Sequence, residues 1–320
     1  MLEIMRIAIV GQRDFGAAVL EAFAQRGDTV AGVFCAPEKP GEPADPLRAA
    51  AEKIGIPVHA LPSLRVEEAR QALSALDVDL AVLAYVLQFV PQDFATIPRH
   101  GTIQFHPSLL PRYRGPSSIN WPIILGDTRT GVSIFRPTDG LDEGPIILQK
   151  ETHIGPDETV GKVYFGRLFP MGVAALLEAA DLVVSGRAVP AIQDESCASY
   201  EGWCRDGEAW INWHSHVDHI HNLIRGCDPA PGAWTRFNDK TLRVFDVRKH
   251  RARTFSQVKG TIGAVSAIGE QSLMVTAQGG QIEVFKLRFD GGKKLPAPQV
   301  CAESGITVGA ILGVGAASGA

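Results

Sequence analysis

Short apolar runs alternate with longer amphipathic segments through the first half of the chain. The run Arg6–Val10 predicts a buried strand, which is followed by a turn at Gly11 and by a helix that ends at Gly27. That helix places four large apolar residues on one face: Phe15, Val19, Leu20 and Phe23. Further strands are predicted at Val30–Cys35, Val58–Leu61, Leu80–Ala84, Thr102–Phe105, Gly131–Arg136 and Ile146–Lys150, and further helices at Ala44–Gly55, Val66–Ala75 and Pro116–Gly126. This alternation predicts an α/β fold, a Rossmann-like doubly wound sheet that is mostly parallel and covered by helices on both faces.

The pattern changes in the second half of the chain. A long helix is predicted from Asp157 to Ser185, with a kink at Pro170. After a polar extended segment, a helix at Ser215–Arg225 precedes strands at Ala233–Phe237, Leu242–Val247, Gly260–Val265, Leu273–Thr276 and Gln281–Phe289. We expect a small antiparallel, OB-like β-barrel here. The predicted domains are residues 1–205 and 206–308, followed by a frayed tail of small residues at 309–320.

Composition limits the class of protein and its environment. With 320 residues, 45% of them hydrophobic and 21% charged, the chain can bury a core in each of two domains and is not of the disordered class. Its longest apolar runs are strand-sized, well short of the ~20 residues of a membrane span, and its start lacks the pattern of a secretory signal. Five cysteines without a C-x-x-C pair fit free thiols in a reducing compartment. We therefore expect a cytoplasmic protein without a membrane partner.

Two conspicuous motifs are poor evidence for a cofactor. The first turn, Gly11–Gly16, lacks the G-x-G-x-x-G order that brings a backbone close to a pyrophosphate, so NAD is not expected. The segment His214–His221 holds four histidines, but on a helix they point in all directions, and no Cys or Glu stands at a zinc-binding spacing. We interpret this segment as a solvated helix face with one buried histidine. A metal site is the minor alternative, and no metal is expected.

The candidate chemistry lies at the end of the strand Thr102–Phe105. His106 follows that strand directly, at the edge where open α/β sheets bind their ligands, and Gln104 projects from the same face because side chains alternate along a strand. Thirty-six residues after His106, an acidic turn between two strands presents Asp142. An amide, an imidazole and a carboxylate that converge on one carbonyl can supply an oxyanion donor, a proton carrier and a base. The residues alone leave open the alternative of a packed histidine and a turn-stabilising aspartate.

The segment His106-Pro107-Ser108-Leu109-Leu110-Pro111, followed by Arg114-Gly115 and the turn Asp139–Gly144, resembles the signature of the formyltransferases that use 10-formyltetrahydrofolate. The resemblance extends over almost the whole chain. Further matches, in order, are Gly11-Gln12, Ala44-Asp45-Pro46-Leu47, Gln88-Phe89, Pro98-Arg99-His100-Gly101, Ile119-Asn120-Trp121, Ser199-Tyr200-Glu201-Gly202, Ile211-Asn212-Trp213, Ile220-His221-Asn222 and Pro231-Gly232-Ala233-Trp234. These matches make the chain most similar to the amino-terminal hydrolase domain of 10-formyltetrahydrofolate dehydrogenases, and it is also similar to methionyl-tRNA formyltransferases. The chain departs from the transferase pattern at Gln104, where those enzymes usually have Asn.

The resemblance implies a set of site residues. His106 and Asp142 match the family's catalytic pair, Gln104 is implied to assist at the formyl oxygen, and Ser108 matches the serine of the motif. 10-Formyltetrahydrofolate is implied as co-substrate and tetrahydrofolate as product, without a metal. The implied folate-binding residues are Tyr85, Val86, Leu87, Gln88, Phe89, Val90, Leu110, Thr138, Asp139, Gly140 and Leu141. For Arg114, contact with a substrate anion and a solvent-facing loop position both remain open.

Three classes of function are compatible with the resemblance. The first is an enzyme that hydrolyses 10-formyltetrahydrofolate to tetrahydrofolate and formate, or passes the formyl group to a small acceptor such as a sugar-nucleotide amine. The second is a methionyl-tRNA formyltransferase. It ranks lower because residues 206–320 carry 13 Lys and Arg against 10 Asp and Glu, and the rest of the chain 18 against 25, which leaves little cationic surface for a tRNA partner. The third, a folate-binding module without turnover, is not favoured because both His106 and Asp142 are present.

Overall fold

The computed structural model describes residues 4–38, 41, 43–252 and 260–313, and the chain divides into two compact units. The N-terminal unit comprises the chain up to Gly115 with Gly131–Thr152 and Arg167–Tyr200, and the C-terminal unit comprises Pro116–Thr130, His153–Gly166 and the chain from Glu201 onward. The predicted single boundary after residue 205 assigns 116–130 and 153–166 to the first domain. In the structure both segments belong to the C-terminal unit, where the Asn120 amide donates to the carbonyl of Gly226 and the Gly161 N–H to that of Asp228.

A seven-stranded sheet organises the N-terminal unit. Its strands are β1 (Arg6–Gly11), β2 (Thr29–Cys35), β3 (Val58–Ala60), β4 (Leu80–Ala84), β5 (Thr102–His106), β6 (Arg129–Phe135) and β7 (Ile146–His153). The spatial order is β3-β2-β1-β4-β5-β6-β7, with β1 to β5 parallel and β6 antiparallel to β5. The helices of the chain are α1 (Arg13–Arg26), α2 (Pro46–Lys53), α3 (Glu67–Ala75), α4 (Gln92–Ala95), α5 (Asn120–Ile124), α6 (Val160–Val163), α7 (Phe169–Val184), α8 (Val217–Gly226) and α9 (Ala297–Ser304). The predicted Rossmann-like, mostly parallel sheet is confirmed.

Local sequence explains the first β–α–β unit. All four apolar residues predicted to share a face of α1 are buried, and Gly27 ends that helix in the left-handed region, with a φ of 99°. Asp45 begins α2 by accepting the N–H of Leu47. A Cβ on Gly11 in β1 would lie 1.9 Å from the carbonyl oxygen of Ala84 in β4. The close packing of these two strands therefore explains the first glycine of the chain's first turn.

Three predicted elements differ in the structure. The helix predicted over 157–185 consists of α6, a π-helical turn at Tyr164–Leu168 and α7; Pro170, which has no N–H to donate, lies in the first turn of α7. The helix predicted over 116–126 is confined to the five residues of α5. The strand predicted at 260–265 is wrong, because Gly260 and Gly263 have φ values of 97° and 79° that break an extended strand, and the strand begins only at Val265.

The C-terminal unit contains an antiparallel sheet. Its strands are β8 (Trp234–Phe237), β9 (Lys240–Arg251), β10 (Val265–Ile268), β11 (Leu273–Ala277), β12 (Gly280–Phe289) and β13 (Leu295–Pro296). The order is β10-β11-β12-β9-β8, and β13 pairs with β12. Ile220 and Ile224 of α8 pack with Val244, Val275 and Ile282 of this sheet in one buried apolar cluster. The predicted antiparallel β domain is confirmed, whereas its closure into an OB-like barrel stays a prediction.

The start of the tail is bound to the C-terminal sheet. The N–H groups of Gly309, Leu312 and Gly313 donate to the carbonyls of Val265, Gly263 and Arg236, and the Leu312 side chain is buried. For residues 309–313 the prediction of a frayed tail is therefore wrong, because their backbone groups are paired. The remainder of the predicted tail, 314–320, lies outside the described residues.

The predictions on cysteines and membranes are addressed directly by the structure. All five cysteines are free, and Cys197 alone among them is exposed. No helix in the described part of the chain combines the length and apolar character that a membrane crossing needs.

Candidate active site

Strand β5 brings Gln104 and His106 to one face of the sheet at its carboxyl end. Gln104 is half-buried, and His106 is only 5% exposed. In the parallel register Gln104 pairs with Leu83 of β4, so the loop after β4 begins with Tyr85 at the level of His106. On the other side, β6 pairs Ser133 with His106. His106 thus lies at the end of a central strand, with a loop on one side and β6 on the other.

The loop after β5 fixes the imidazole of His106. Its Nε2 lies 2.8 Å from the carbonyl oxygen of Tyr113, which can only accept a hydrogen bond, so Nε2 donates. Tyr113 is held in the left-handed region with a φ of 59°, and its N–H donates to Oγ of Ser199. In the neutral ring Nδ1 is therefore the unprotonated nitrogen, and it is the one that faces Asp142.

Asp142 lies in the turn between β6 and β7 and is 7% exposed. Its Oδ2 accepts the N–H of Gly115 at 2.9 Å and lies 3.6 Å from Nδ1 of His106. Its Oδ1 lies 3.5 Å from Nε2 of Gln104, at the outer limit of a hydrogen bond. The amide, the imidazole and the carboxylate that the sequence placed at three strand ends or turns therefore do converge.

The geometry of this cluster allows proton transfer. In the neutral imidazole Nδ1 is an acceptor, as Oδ2 of the carboxylate is, so the pair forms a hydrogen bond only when one of them carries a proton. Nδ1 of His106 and Oδ2 of Asp142 are 3.6 Å apart. An oxygen of a third group can therefore lie within hydrogen-bond distance of both atoms. The Gln104 amide, whose contact with Asp142 is long, has a second N–H for another acceptor. The cluster can hold a polar oxygen between a proton carrier and a carboxylate, beside an amide donor.

Two further residues of the motif hold its loop together. Oγ of Ser108 donates to the carbonyl of Arg112 at 2.7 Å, and the carbonyl of Ser108 accepts from Oγ of Ser133. The N–H of Leu110 donates to the same Ser133 Oγ, and its carbonyl accepts from the amide of Gln149. The structure thus gives Ser108 and Leu110 loop-forming contacts. The catalytic role of Ser108 and the folate contact of Leu110 stay predictions.

Arg114 fits neither interpretation taken from the sequence. It is buried, forms a two-pronged ion pair with Glu195 at 2.7 and 2.9 Å, and donates to Oε1 of Gln193. The side-chain hydrogen bonds of this pair raise the pKa of Arg114 and lower the pKa of Glu195. Because its guanidinium is engaged inside the N-terminal unit, Arg114 is neither a solvent-facing loop arginine nor positioned as a free anchor for a substrate anion.

Gln193 is a site residue that the sequence analysis missed. It follows α7 in an extended segment that the sequence marks only as polar, yet its side chain is 5% exposed. Its amide donates to the carbonyls of Asp142 and Gly144, both at 2.8 Å. A single glutamine carries no motif. The nearest sequence signal is the match at Ser199–Gly202, whose first residue accepts the N–H of Arg114 through its carbonyl.

The loop after β4 and the acidic turn present exposed apolar side chains. Tyr85, Leu87 and Phe89 are 43%, 60% and 45% exposed, and Leu141 on the acidic turn is 52% exposed. Thr138 and Asp139 are exposed, and Gly140 is half-buried. Large apolar groups that remain exposed beside a buried polar cluster are typical of a ligand-binding edge.

Other residues predicted to bind folate have contacts of their own. The Gln88 amide donates to the carbonyl of Leu61 at 2.8 Å, and the guanidinium of Arg65 lies 4.4 Å from the centre of the Phe89 ring. The side chain of Val90 is buried in the apolar core, against which half-buried Val86 packs. The structure thus gives the Val90 side chain a place in that core, and the predicted folate contact of Val90 stays a prediction.

The histidine-rich segment is a helix start with one buried histidine, as the sequence indicates. His214, His216 and His219 are exposed, and Nδ1 of His216 accepts the N–H of Asp218 at the beginning of α8. His221 is fully buried, and burial lowers the pKa of its imidazole to about 4. Within the described ranges, no three or more His, Cys, Asp or Glu residues are grouped so that they could hold a metal ion.

Comparison with known proteins assigns the fold and the motifs to a family. The formyl transferase model matches residues 5–179, and the model of the formyl transferase C-terminal domain matches residues 205–305. Human mitochondrial 10-formyltetrahydrofolate dehydrogenase is 38% identical over 304 residues, which are 92% of this chain and 33% of that protein. Methionyl-tRNA formyltransferase of Geotalea daltonii is 35% identical over 314 residues, which are 97% of this chain and 98% of that protein. The chain thus spans about a third of the dehydrogenase and nearly all of the transferase.

Solved structures with the same fold include HypX from Aquifex aeolicus in complex with tetrahydrofolic acid, with a TM-score of 0.68 at 18% identity over 94% of this chain and 47% of that one. WlaRD, a sugar 3N-formyl transferase, has a TM-score of 0.66 at 18% identity over 88% of this chain and 98% of that one. At such low identity these structures show the fold alone. The two family models and the relatives above show the family, and the chain belongs to the formyl transferase family.

Proposed function

We propose that this protein removes the formyl group of 10-formyltetrahydrofolate and passes it to water or to a small acceptor. The observation that carries the proposal is the placement of His106 Nδ1 3.6 Å from Asp142 Oδ2, with the Gln104 amide beside them, at the carboxyl end of a central strand. Membership of the formyl transferase family supports the donor, and the dehydrogenase relatives carry 10-formyltetrahydrofolate in their names. That neither a metal nor NAD takes part, and that the location is cytoplasmic, stay predictions.

In hydrolysis, a water oxygen attacks the formyl carbon while Asp142 accepts one proton of that water. The formyl oxygen becomes an oxyanion, which Gln104 stabilises through its second N–H, and His106 through Nδ1 when that nitrogen carries a proton. The bond between the formyl carbon and the folate nitrogen then breaks, and that nitrogen takes the proton that Asp142 accepted from water. Tetrahydrofolate and formic acid are released, and the acid loses its proton to solvent as formate. One preorganised oxyanion donor lowers a barrier by about 3–4 kcal/mol.

The exposed side chains beside the cluster supply the folate contacts of the proposal. The pteridine ring would lie against the loop 85–90 and the turn 138–141, where Tyr85, Leu87 and Leu141 offer apolar surface. Backbone groups of the same two segments would pair with its amide-like edge. Substitution of Leu141 by a charged residue should then raise the KM for the folate more than it lowers kcat.

The direct test is incubation of the purified protein with 10-formyltetrahydrofolate while tetrahydrofolate and formate are both measured. Formate released without any acceptor, and slowed to a small residual rate in Asp142→Asn, supports hydrolysis. Tetrahydrofolate that forms only when a small amine is added supports transfer to that amine. If no tetrahydrofolate forms under either condition, the proposal is wrong, and tetrahydrofolate that forms only with charged tRNA supports a methionyl-tRNA formyltransferase instead.

A methionyl-tRNA formyltransferase is the second candidate, and one observation favours it. The Geotalea daltonii relative of that name matches 97% of this chain and 98% of its own length. The weak positive charge of residues 206–320 opposes this candidate. Formylation of methionyl-tRNA at a rate that exceeds formate release, with binding that weakens steeply as salt rises, would establish it in place of hydrolysis.

A further inference from the structure

The Gln193 side chain joins the acidic turn to the loop after β5. Its Nε2 donates to the carbonyl oxygens of Asp142 and Gly144, each at 2.8 Å, and its Oε1 accepts from Nη2 and Nε of Arg114 at 2.8 and 3.2 Å. Because carbonyls only accept and a guanidinium only donates, these four contacts determine which end of the amide is oxygen. Both ends of the Gln193 amide are therefore fully engaged inside the N-terminal unit.

The acidic turn needs such a support because its backbone is unusual. Asp142 has a φ of 56°, in the left-handed region that an aspartate occupies only at a cost. Two residues later, a Cβ on Gly144 would lie 1.6 Å from the carbonyl oxygen of Arg136, so the turn is closed tightly against the end of β6. This backbone directs the Asp142 carboxylate toward Nδ1 of His106 and the N–H of Gly115.

Arg114 holds Gln193 from the opposite side. Its ion pair with Glu195, at 2.7 and 2.9 Å, holds the guanidinium in place. The same guanidinium donates to the Gln193 amide oxygen. Arg114 is also the neighbour of Gly115, whose N–H donates to the Asp142 carboxylate. The backbone of the turn and its carboxylate are therefore held from the same two points, Gln193 and the segment 114–115.

We propose that Gln193 is a positioning residue for Asp142: by joining the carbonyls of the acidic turn to Arg114, it sets the direction in which Asp142 presents its carboxylate to His106. The inference rests on the proposed function, since it concerns the turnover of 10-formyltetrahydrofolate. Gln193 itself donates to backbone carbonyls and acts only through Asp142.

The test compares three variants in hydrolysis of 10-formyltetrahydrofolate. Gln193→Glu keeps the length and the acceptor for Arg114 but places an oxygen opposite two carbonyls, and Gln193→Met keeps the bulk without either function. Asn120→Asp is the matched control, because Asn120 also donates its amide to two carbonyls, those of Gly226 and Ala230. Both Gln193 variants should lower kcat by about 10- to 100-fold while the folate KM stays within about twofold, and Asn120→Asp should leave kcat within about twofold.

A double-mutant cycle separates positioning from general damage. In an Asp142→Asn background, Gln193→Glu should change the residual rate by less than about twofold, because the carboxylate through which it acts is gone. The melting temperature is measured for every variant. If Gln193→Glu does not fold, Gln193→Met takes its place in the double-mutant cycle. An equal loss of kcat from Gln193 substitution with and without Asp142, or wild-type kcat in both Gln193 variants, overturns the inference. An inactive wild-type protein refutes the proposed function instead.

Discussion

Two buried histidines of this chain each face an aspartate, in very different surroundings. His106 ends a central strand, donates to a carbonyl through Nε2 and presents Nδ1 to Asp142 at 3.6 Å. His221 lies within α8 with Nε2 3.2 Å from Oδ1 of Asp157, without the alignment of a hydrogen bond, and neither ring nitrogen has a hydrogen-bond partner among the described residues. One ring is oriented by its neighbours, and the other is merely enclosed.

The difference shows what makes a histidine useful for chemistry. The sequence around His221 has the higher density of titratable side chains, but neither nitrogen of its ring is oriented by a hydrogen bond from the described residues. His106 has a fixed tautomer, a carboxylate and an amide donor within reach. Orientation by hydrogen bonds at the carboxyl edge of a sheet, rather than the number of histidines in a segment, distinguishes the candidate active site.

The largest expected effect is the loss of kcat in His106→Asn, and the same substitution at His221 is the comparison. His106→Asn should lower kcat for hydrolysis of 10-formyltetrahydrofolate by about 10²- to 10⁴-fold, because it removes the proton carrier. His221→Asn should leave kcat within about twofold, since His221 lies in the C-terminal unit and contacts none of the predicted catalytic residues in the described part of the chain. Steady-state kinetics of the two variants decides the comparison. An equal loss of kcat in both would remove the distinction drawn here.

The second effect concerns stability and pH. Burial, with Lys249 and Arg225 adding positive charge, lowers the pKa of His221 from 6.5 to about 4. Between these values the unfolded chain binds a proton that the folded chain does not, so the stability that His221 contributes is present above about pH 6.5 and is lost as pH falls toward about pH 4. From about pH 7 to about pH 4.5 the wild type should lose roughly 2 kcal/mol more than His221→Leu.

The chain offers a convenient probe for this measurement. All five tryptophans, at positions 121, 203, 210, 213 and 234, belong to the C-terminal unit, so urea unfolding followed by tryptophan fluorescence reports on the unit that contains His221. His106→Asn serves as the control, because it should leave this transition unchanged at both pH values. If the wild type and His221→Leu lose the same free energy of unfolding on acidification, His221 does not have the proposed effect on stability.

Periodicity predicted the parts of the fold in which one face of an element is buried. The helix after β1 and the strands that flank it were predicted within a residue or two, since their apolar positions repeat with the helical or strand period. The strand predicted at 260–265 failed because its glycines adopt positive φ, which composition does not reveal. The prediction of a frayed tail failed at residues 309–313 because these residues pair through their backbone groups, and backbone pairing leaves no pattern in the side chains.

The candidate site was predictable only in part for the same reason. Gln104, His106 and Asp142 lie at a strand end or in a turn between strands. The alternation of side chains along a strand and the family motif together predict these positions. Gln193 and the buried state of Arg114 depend on contacts between segments far apart in the chain, such as those of Gln193 with Asp142. No local rule predicts that a polar segment after a helix supports a turn that lies some fifty residues earlier in the chain.

A smaller effect is expected at Gln104, whose amide lies beside Asp142. Gln104→Ala should lower kcat by about tenfold, less than the loss of a sole oxyanion donor, because the His106 imidazole would still act on the formyl oxygen. Gln104→Asn keeps an amide that is one methylene shorter and should recover part of that loss. Wild-type kcat in Gln104→Ala would show that the amide takes no part, and the 3.5 Å contact with Asp142 would then be incidental.

The smallest effect is expected at Ser108, and it tests whether the motif serine acts on the substrate or on its loop. Its hydroxyl donates to the carbonyl of Arg112, so Ser108→Ala should lower the free energy of unfolding by about 1 kcal/mol and kcat by no more than about threefold. Ser133→Ala is the matched variant, because Oγ of Ser133 donates to the carbonyl of Ser108 and holds the same loop. If both hydroxyls only support the loop that orients His106, the melting temperature measured by calorimetry and kcat should fall together in each of the two variants. A loss of kcat beyond about 100-fold in Ser108→Ala alone, at unchanged melting temperature, would instead place the Ser108 hydroxyl at the formyl group.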